Sequence, residues 1–192
     1  MVLILRLLRS IPTRLAVRYG ASPLCHTASV APSVGNGAHL AEDDSMDRAD
    51  LPLLLASDLP GAPDARFPLD RIRLQKAIFL LTQRGPERWR HCYMYEPYNW
   101  GPYSSTLNSD VGSLIASDQL AVEPFSGSRY GSHKATLLAD GRTRRAWDEC
   151  SQEEREFLRR VKHYVTSRSF NTLLREVYAA YPDYASKSLF SG

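Results

Sequence analysis

Cysteine is scarce in this chain of 192 residues, and its positions are widely spaced. Cys25, Cys92 and Cys150 form no pair with the spacing of a disulfide framework. The adjacent pairs Cys25-His26 and His91-Cys92 do not match the spacing that lets two ligands reach one zinc ion. The sequence therefore predicts a protein of a reducing, cytoplasmic compartment without a metal site.

Long apolar runs and known catalytic motifs are also missing. No stretch reaches the roughly 18–20 apolar residues that a membrane-spanning helix needs. The chain contains no Gly-x-Ser-x-Gly motif, no Walker-type phosphate-binding loop and no His-Glu-x-x-His helix. We therefore expect no membrane association, no cofactor and no enzymatic activity.

Acidic residues are absent from the first 41 residues, which contain four arginines. Arg6 and Arg9 interrupt the apolar region that a secretory signal requires. Export is therefore not expected, and residues 1–45, which are rich in Ala, Ser, Pro and Gly, are predicted to be disordered or removed. Two interpretations are open: a cleavable organellar transit peptide, or a translation start assigned upstream of Met46. One folded domain is expected over residues 46–192. Because this part is nearly neutral, the pI of about 8.8 is weak evidence for nucleic-acid binding.

Five helices are predicted from the spacing of apolar residues and from capping signals. In chain order they are expected to contain residues 51–59, 69–83, 104–115, 151–165 and 169–181. Ser104 is a candidate cap for the third helix, and Ser151 with Glu154 has the pattern of a capping box for the fourth. The chain is thus expected to be mainly helical.

A small β element is predicted after the third helix. Leu120–Phe125 and Arg129–Leu137 have the pattern of two strands separated by Gly127. Between the second and third helices, an aromatic loop contains a short extended stretch and a turn. The expected fold class is α+β and mainly helical: a compact five-helix domain with a small β-hairpin in winged-helix-like order.

Three segments together resemble a known family. They are Arg73-Leu74-Gln75-Lys76 followed by Phe79-Leu80-Leu81, Trp100-Gly101-Pro102-Tyr103-Ser104 with Leu107 and Asp110, and Tyr181-Pro182-Asp183-Tyr184 with Ser188. In this order they are similar to the Panacea-domain, SocA-like antitoxin and adaptor family, and more closely to its YwgA-like branch, over residues 68–190. The long N-terminal segment and Trp100 depart from the family pattern.

The resemblance implies a compact, mainly helical fold found in bacterial and phage-associated proteins. It implies a non-enzymatic protein that binds a partner protein, such as a cognate toxin or a protease. The expected function is therefore that of an antitoxin or protease adaptor.

Six residues of the second helix and the aromatic loop are predicted to bind the partner: Arg73, Gln75, Lys76, Tyr98, Trp100 and Tyr103. Exposed Tyr and Trp are favoured at binding surfaces, although packing in the core is the commoner role of each aromatic residue. The polar residues of the second helix would by default lie on a solvated face. Residues 66–90 contain seven Lys and Arg residues against two acids, so an acidic partner is expected to be attracted here.

The alternative function is that of a winged-helix DNA-binding transcriptional regulator. From Tyr103 to Glu123 the chain has three acids and neither Lys nor Arg, so its third helix would repel DNA phosphates. Arg129, His133 and Lys134 are expected to place a basic wing on the DNA backbone. Binding to DNA, if present, is predicted to be weak and sensitive to salt.

Overall fold

The computed structural model describes residues 46–126, 128–134 and 141–190. Within these ranges the chain forms six α-helices and two antiparallel β-hairpins. The elements are α1 Asp50–Ala56, α2 Arg71–Arg84, β1 Glu96–Tyr98, β2 Gly101–Tyr103, α3 Ser105–Ala116, β3 Ala121–Phe125, β4 Ser128–Lys134, α4 Gly141–Asp148, α5 Gln152–Ser167 and α6 Phe170–Ala180. The mainly helical α+β fold class is confirmed. The predicted N-terminal segment, residues 1–45, lies outside the described residues.

The expected number of five helices is one too few, because Gly141–Asp148 forms α4. Only two of its eight residues, Ala146 and Trp147, are apolar, so the sequence carries little apolar signal for a helix here. It packs against α1, and the Arg142 guanidinium forms ion pairs with Asp47 and Asp50. Tertiary contacts of this kind are not visible in a local sequence pattern.

The central helix is α2, which is buried on all sides over most of its length. All ten residues from Arg73 to Thr82 are buried, and the helix packs against α1, α5 and β2. A helix buried on every side forces its polar side chains to find hydrogen-bond partners inside the protein. The hydrogen bonds of Gln75 and Lys76 therefore join α2 to the β1–β2 hairpin and the start of α3.

The aromatic loop contains a second hairpin that was expected only as an extended stretch and a turn. Glu96 lies opposite Tyr103, Pro97 opposite Pro102, and Tyr98 opposite Gly101. Asn99 and Trp100 connect the two strands. Gly101 has a φ angle of +89°, a backbone conformation that residues other than glycine rarely adopt.

The predicted hairpin after α3 is present as β3 and β4, with Ala121 opposite Lys134 and Val122 opposite His133. The predicted end of the second strand, from residue 135 on, lies outside the described residues. The main-chain N–H of His133 donates to the carbonyl oxygen of Leu69 at 3.0 Å. This bond attaches β4 to the segment that precedes α2.

The predicted capping box of α5 is also present. Ser151 Oγ accepts a hydrogen bond from the Glu154 main-chain N–H at 3.2 Å, and Glu154 Oε2 accepts one from the Ser151 main-chain N–H at 2.8 Å. None of the helices in the described ranges is long and apolar enough to cross a membrane.

Candidate functional site

A cleft of about 340 Å³ opens between the start of α2 and the β1–β2 hairpin. Its lining residues are Arg71, Ile72, Gln75, Lys76, Tyr98, Asn99, Trp100, Gly101 and Tyr103. Five of the six residues predicted to bind a partner line this cleft, and only Arg73 does not. The structure thus brings two separate sequence segments together at one surface.

Gln75 connects α2 to the start of α3. Its Oε1 accepts a hydrogen bond from the Ser104 main-chain N–H at 3.0 Å, and its Nε2 donates to the Ser104 carbonyl oxygen at 3.0 Å. Ser104 in turn caps α3, since its Oγ accepts from the Leu107 main-chain N–H. Gln75 therefore fixes the backbone where the hairpin ends and α3 begins.

Lys76, the next residue of α2, binds the hairpin itself. Its Nζ donates to the Pro102 carbonyl oxygen at 2.9 Å, and the side chain is almost completely buried. Burial lowers the pKa of the Lys76 ammonium to about 7, although the nearby Asp70 carboxylate opposes this effect. The charge at the base of the cleft therefore changes near neutral pH.

Arg73 lies on the other side of α2 and stabilises the end of α5. Its guanidinium donates to Asp70 Oδ2 at 2.6 Å and to the carbonyl oxygens of Val165 and Arg168 at 3.1 and 3.2 Å. The interpretation of Arg73, Gln75 and Lys76 as a solvated face is wrong, because each is at most 5% exposed. Arg73 also does not line the cleft, so the geometry does not support it as a contact for a partner.

The hairpin exposes aromatic side chains at the mouth of the cleft. Tyr98 and Trp100 are 47% and 37% exposed. The rings of Tyr98 and Tyr103 stack with centroids 4.9 Å apart, and the Trp100 ring contacts the Phe170 ring edge-on at 5.5 Å. Tyr93, earlier in the same loop, is buried. The aromatic loop therefore contributes to the core at its start and to the surface at its turn.

Fewer than half of the seven basic residues between residues 66 and 90 are paired with an acid within the fold. Three of them form ion pairs, Arg73 with Asp70, Arg88 with Glu154 and Arg90 with Glu87. In the described part of the chain, no ion pair involves Arg66 or Arg71. Arg71, which is exposed at the edge of the cleft, is therefore the main source of attraction for an acidic group at this site.

The C-terminal segment, residues 181–190, packs against the β1–β2 hairpin. The Leu189 main-chain N–H donates to the Asn99 carbonyl oxygen at 2.8 Å, and the Tyr178 hydroxyl bonds to Ser188 Oγ at 2.6 Å. The Phe79 ring also contacts the rings of Tyr181 and Tyr184. The C-terminal segment therefore packs against both α2 and the turn of the hairpin.

Four further residues line the cleft beside the predicted ones: Arg71, Ile72, Asn99 and Gly101. Helical spacing could have indicated the first two, because residues 71 and 72 lie one turn before Gln75 and Lys76 on the same side of α2. Asn99 carried no such signal, since its place depends on the hairpin turn.

The surface proposed for DNA binding carries little positive charge in the structure. Helix α3 contains no Lys or Arg. The expectation that His133 lies on a basic wing is wrong, because it is buried where β4 binds Leu69. Lys134 forms an ion pair with Glu123 at 3.2 Å, and the side chain of Arg129 lies outside the described residues.

The thiols of the described residues are not activated for catalysis. Burial raises the pKa of Cys92 above its ordinary value and that of Cys150 to about 11, although nearby arginines oppose both shifts. Over the same ranges, no group of three or more His, Cys, Asp or Glu side chains is placed to hold a metal ion.

Comparison with known proteins identifies no relative of this chain: no family model, no curated protein and no solved structure matches it. The chemistry of the cleft is therefore the main basis for a functional proposal.

Proposed function

We propose that this chain is a non-enzymatic protein-binding module of the antitoxin or protease-adaptor type. It binds a partner protein, such as a toxin or protease, at the cleft between α2 and the β1–β2 hairpin. The observation that carries this proposal is the position of Tyr98 and Trp100, which are exposed at the mouth of a cleft whose base is fixed by buried hydrogen bonds. The resemblance of the surrounding segments to an antitoxin and adaptor family supports the class of partner.

The cleft is suited to recognition because its aromatic side chains are held in place before binding. Trp100 contacts Phe170, and Tyr98 stacks on Tyr103. Large aromatic side chains bury much apolar area and lose little conformational entropy on binding, and for this reason they dominate many interfaces. A partner segment that enters this cleft would meet a surface that needs little rearrangement.

The composition of the lining favours binding over catalysis. None of the described residues that line the cleft is a His, Cys, Ser, Asp or Glu, the usual nucleophiles and proton donors of hydrolytic enzymes. The polar groups of Gln75 and Lys76 are already bonded to the main chain of Ser104 and Pro102. These contacts give the two residues a structural role at the base of a binding surface.

The partner to test is the product of the gene adjacent to the one encoding this chain. Co-expression of the two proteins would be scored for rescue from toxicity and for co-purification. The affinity of the purified chain for the purified partner would then be measured by calorimetry. Trp100→Ala is expected to weaken binding by about 2 kcal/mol or more, the range found for buried aromatic anchors at interfaces. Tyr98→Ala is expected to weaken binding of the partner less. The Tyr98 ring contacts only Tyr103 of its own hairpin among the described rings, whereas the Trp100 ring is held by Phe170 of α6.

Met94→Ala is the matched control, because Met94 is 78% exposed in the same loop but does not line the cleft. It should leave binding unchanged, and circular dichroism should show that all variants keep the helical fold. If Trp100→Ala folds and binds with wild-type affinity, the proposed surface is wrong. If the neighbouring product is neither toxic nor bound, the antitoxin assignment fails.

A further inference from the structure

We infer that the cleft selects a carboxylate that lies beside a large apolar side chain, presented by a segment of the partner protein. This inference rests on the proposed function, because it specifies which chemical groups of the partner enter the cleft. It follows from the division of the lining into a cationic part on α2 and an apolar part shared by α2 and the hairpin.

The cationic part consists of Arg71 and Lys76, which line the cleft together with no acidic residue. Arg71 is exposed, and within the described ranges no carboxylate forms an ion pair with it. The acid next to it in the chain, Asp70, is buried and already bound to Arg73 Nη1 at 2.6 Å. A carboxylate from outside would therefore meet the exposed Arg71 guanidinium directly, and its charge would favour the ammonium form of the buried Lys76.

The apolar part consists of Ile72, Trp100 and the stacked rings of Tyr98 and Tyr103. A small anion alone would leave these surfaces in contact with water, whereas an aromatic or branched side chain would cover them. The volume of about 340 Å³ is at the lower end of the range for small-ligand sites, which suits one large side chain with its neighbouring carboxylate. The cleft thus matches an amphipathic group better than an ion.

The protonation of Lys76 makes binding of a carboxylate depend on pH. Burial lowers its pKa to about 7, so a bound carboxylate, which favours the ammonium form, causes the protein to take up a proton above that pH. Affinity is therefore expected to fall as pH rises through and above this value. The other charged or titratable groups around Lys76 are Asp70 and Arg71 at the start of α2 and Tyr98 and Tyr103 on the hairpin.

The inference is tested with small probes, which require no partner protein. The ¹⁵N-labelled chain would be titrated with 3-phenylpropanoate, with its neutral amide 3-phenylpropanamide and with inorganic phosphate, followed by two-dimensional NMR. The carboxylate is expected to shift the signals of the hairpin turn and the start of α2, and to bind at least about tenfold more tightly than the amide. Its affinity should be lower at about pH 9 than at about pH 6, since Lys76 then loses its charge.

Arg71→Gln separates the charged contribution from the apolar one. It should weaken binding of the carboxylate about tenfold and leave the weaker binding of the amide unchanged. Arg84→Gln is the matched control, since Arg84 is exposed on the same helix but lies outside the cleft. Equal affinity for carboxylate and amide, equal affinity for phosphate alone, or signal shifts away from the cleft would each overturn the inference.

The outcomes for the two proposals are distinguishable. If Trp100→Ala abolishes binding of the partner but the protein does not prefer the carboxylate over the amide, only the chemistry inferred here is wrong. If the carboxylate binds in the cleft and Trp100→Ala leaves binding of the partner unchanged, the cleft is an anion site and the proposed function is wrong.

Discussion

The side-chain amide of Gln75 forms hydrogen bonds with both main-chain groups of Ser104, each at 3.0 Å. Ser104 is the residue at which the hairpin ends, and its own hydroxyl caps α3. The central helix α2 therefore determines where α3 starts and how the β1–β2 hairpin lies beside it. The neighbouring bond from Lys76 to Pro102 fixes the second strand of the hairpin in the same way.

Replacing Gln75 with leucine is expected to lower the free energy of unfolding by about 1–3 kcal/mol. The change leaves the buried Ser104 N–H without a partner, at the cost of one unsatisfied buried group, whereas the Ser104 carbonyl oxygen keeps its hydrogen bond from the Asn108 main-chain N–H. Denaturant unfolding followed by circular dichroism would measure this. Gln83→Leu is the control, because Gln83 is exposed on the same helix, and it should change stability by no more than about 0.5 kcal/mol. Similar effects of the two substitutions would contradict the role of the amide.

Stability is expected to rise with pH above neutrality, because burial disfavours the ammonium form of Lys76 in the folded protein. The folded protein releases the Lys76 proton near its pKa of about 7, whereas the unfolded chain holds it up to about 10.5. The unfolded state therefore binds more protons in this interval, and the free energy of unfolding increases with pH by up to about 1.4 kcal/mol per unit. Denaturant unfolding at several pH values between about 6 and 9 would show the slope.

Lys76→Met should remove this contribution and make the slope smaller. Burial also lowers the pKa of Lys162, but its contribution is the same in both proteins and cancels in the comparison. Lys187→Met, at an exposed position, should leave the slope at its wild-type value. A Lys76→Met protein with an unchanged slope would show that Lys76 stays charged in the folded state.

Loss of the Arg73 guanidinium is expected to cost about 3–5 kcal/mol of stability. Arg73→Ala leaves the buried Asp70 carboxylate without its ion pair and the carbonyl oxygens of Val165 and Arg168 without a donor. Arg73→Lys should recover only part of this, because one ammonium cannot reproduce the planar arrangement of the guanidinium donors. Arg175→Ala, an exposed control on α6, should have little effect in the same unfolding assay.

The sequence allowed the elements of the core to be predicted, but not the environment of their polar residues. Helical spacing predicts α2, but the default placement of Arg73, Gln75 and Lys76 on a solvated face is wrong. A local sequence pattern does not show that α5 and the hairpin cover the polar side chains of α2. Polar residues within a long apolar helix are a signal of internal hydrogen bonding, and here that signal was available. Gln75 and Lys76 lie beside the aromatic turn and bond to the main chain of Ser104 and Pro102, whereas Arg73 bonds to the main chain at the end of α5.

Two other elements could not be predicted for different physical reasons. Helix α4 has few apolar residues, and it is held by ion pairs from Arg142 to Asp47 and Asp50, which are far away in the sequence. The β1–β2 hairpin has strands of three residues with a proline in each, Pro97 and Pro102, so it lacks the usual alternation of a strand pattern. It is stabilised by bonds from α2 and from the C-terminal segment rather than by its own sequence.

Gly101→Ala is expected to destabilise the protein by about 1–3 kcal/mol and to weaken binding at the cleft. Gly101 has a φ angle of +89°, and an added Cβ atom would lie 2.7 Å from Tyr178 Cε1. Relief of this contact would move the turn and separate the adjacent Trp100 ring from Phe170. Gly112→Ala is the opposite control: Gly112 lies inside α3 with no atom within 4 Å of an added Cβ, so alanine should stabilise the helix by about 0.5–1 kcal/mol. Unfolding curves and 3-phenylpropanoate titrations of both variants would check this, and a Gly101→Ala protein with wild-type stability and affinity would show that the turn tolerates a side chain and does not position Trp100.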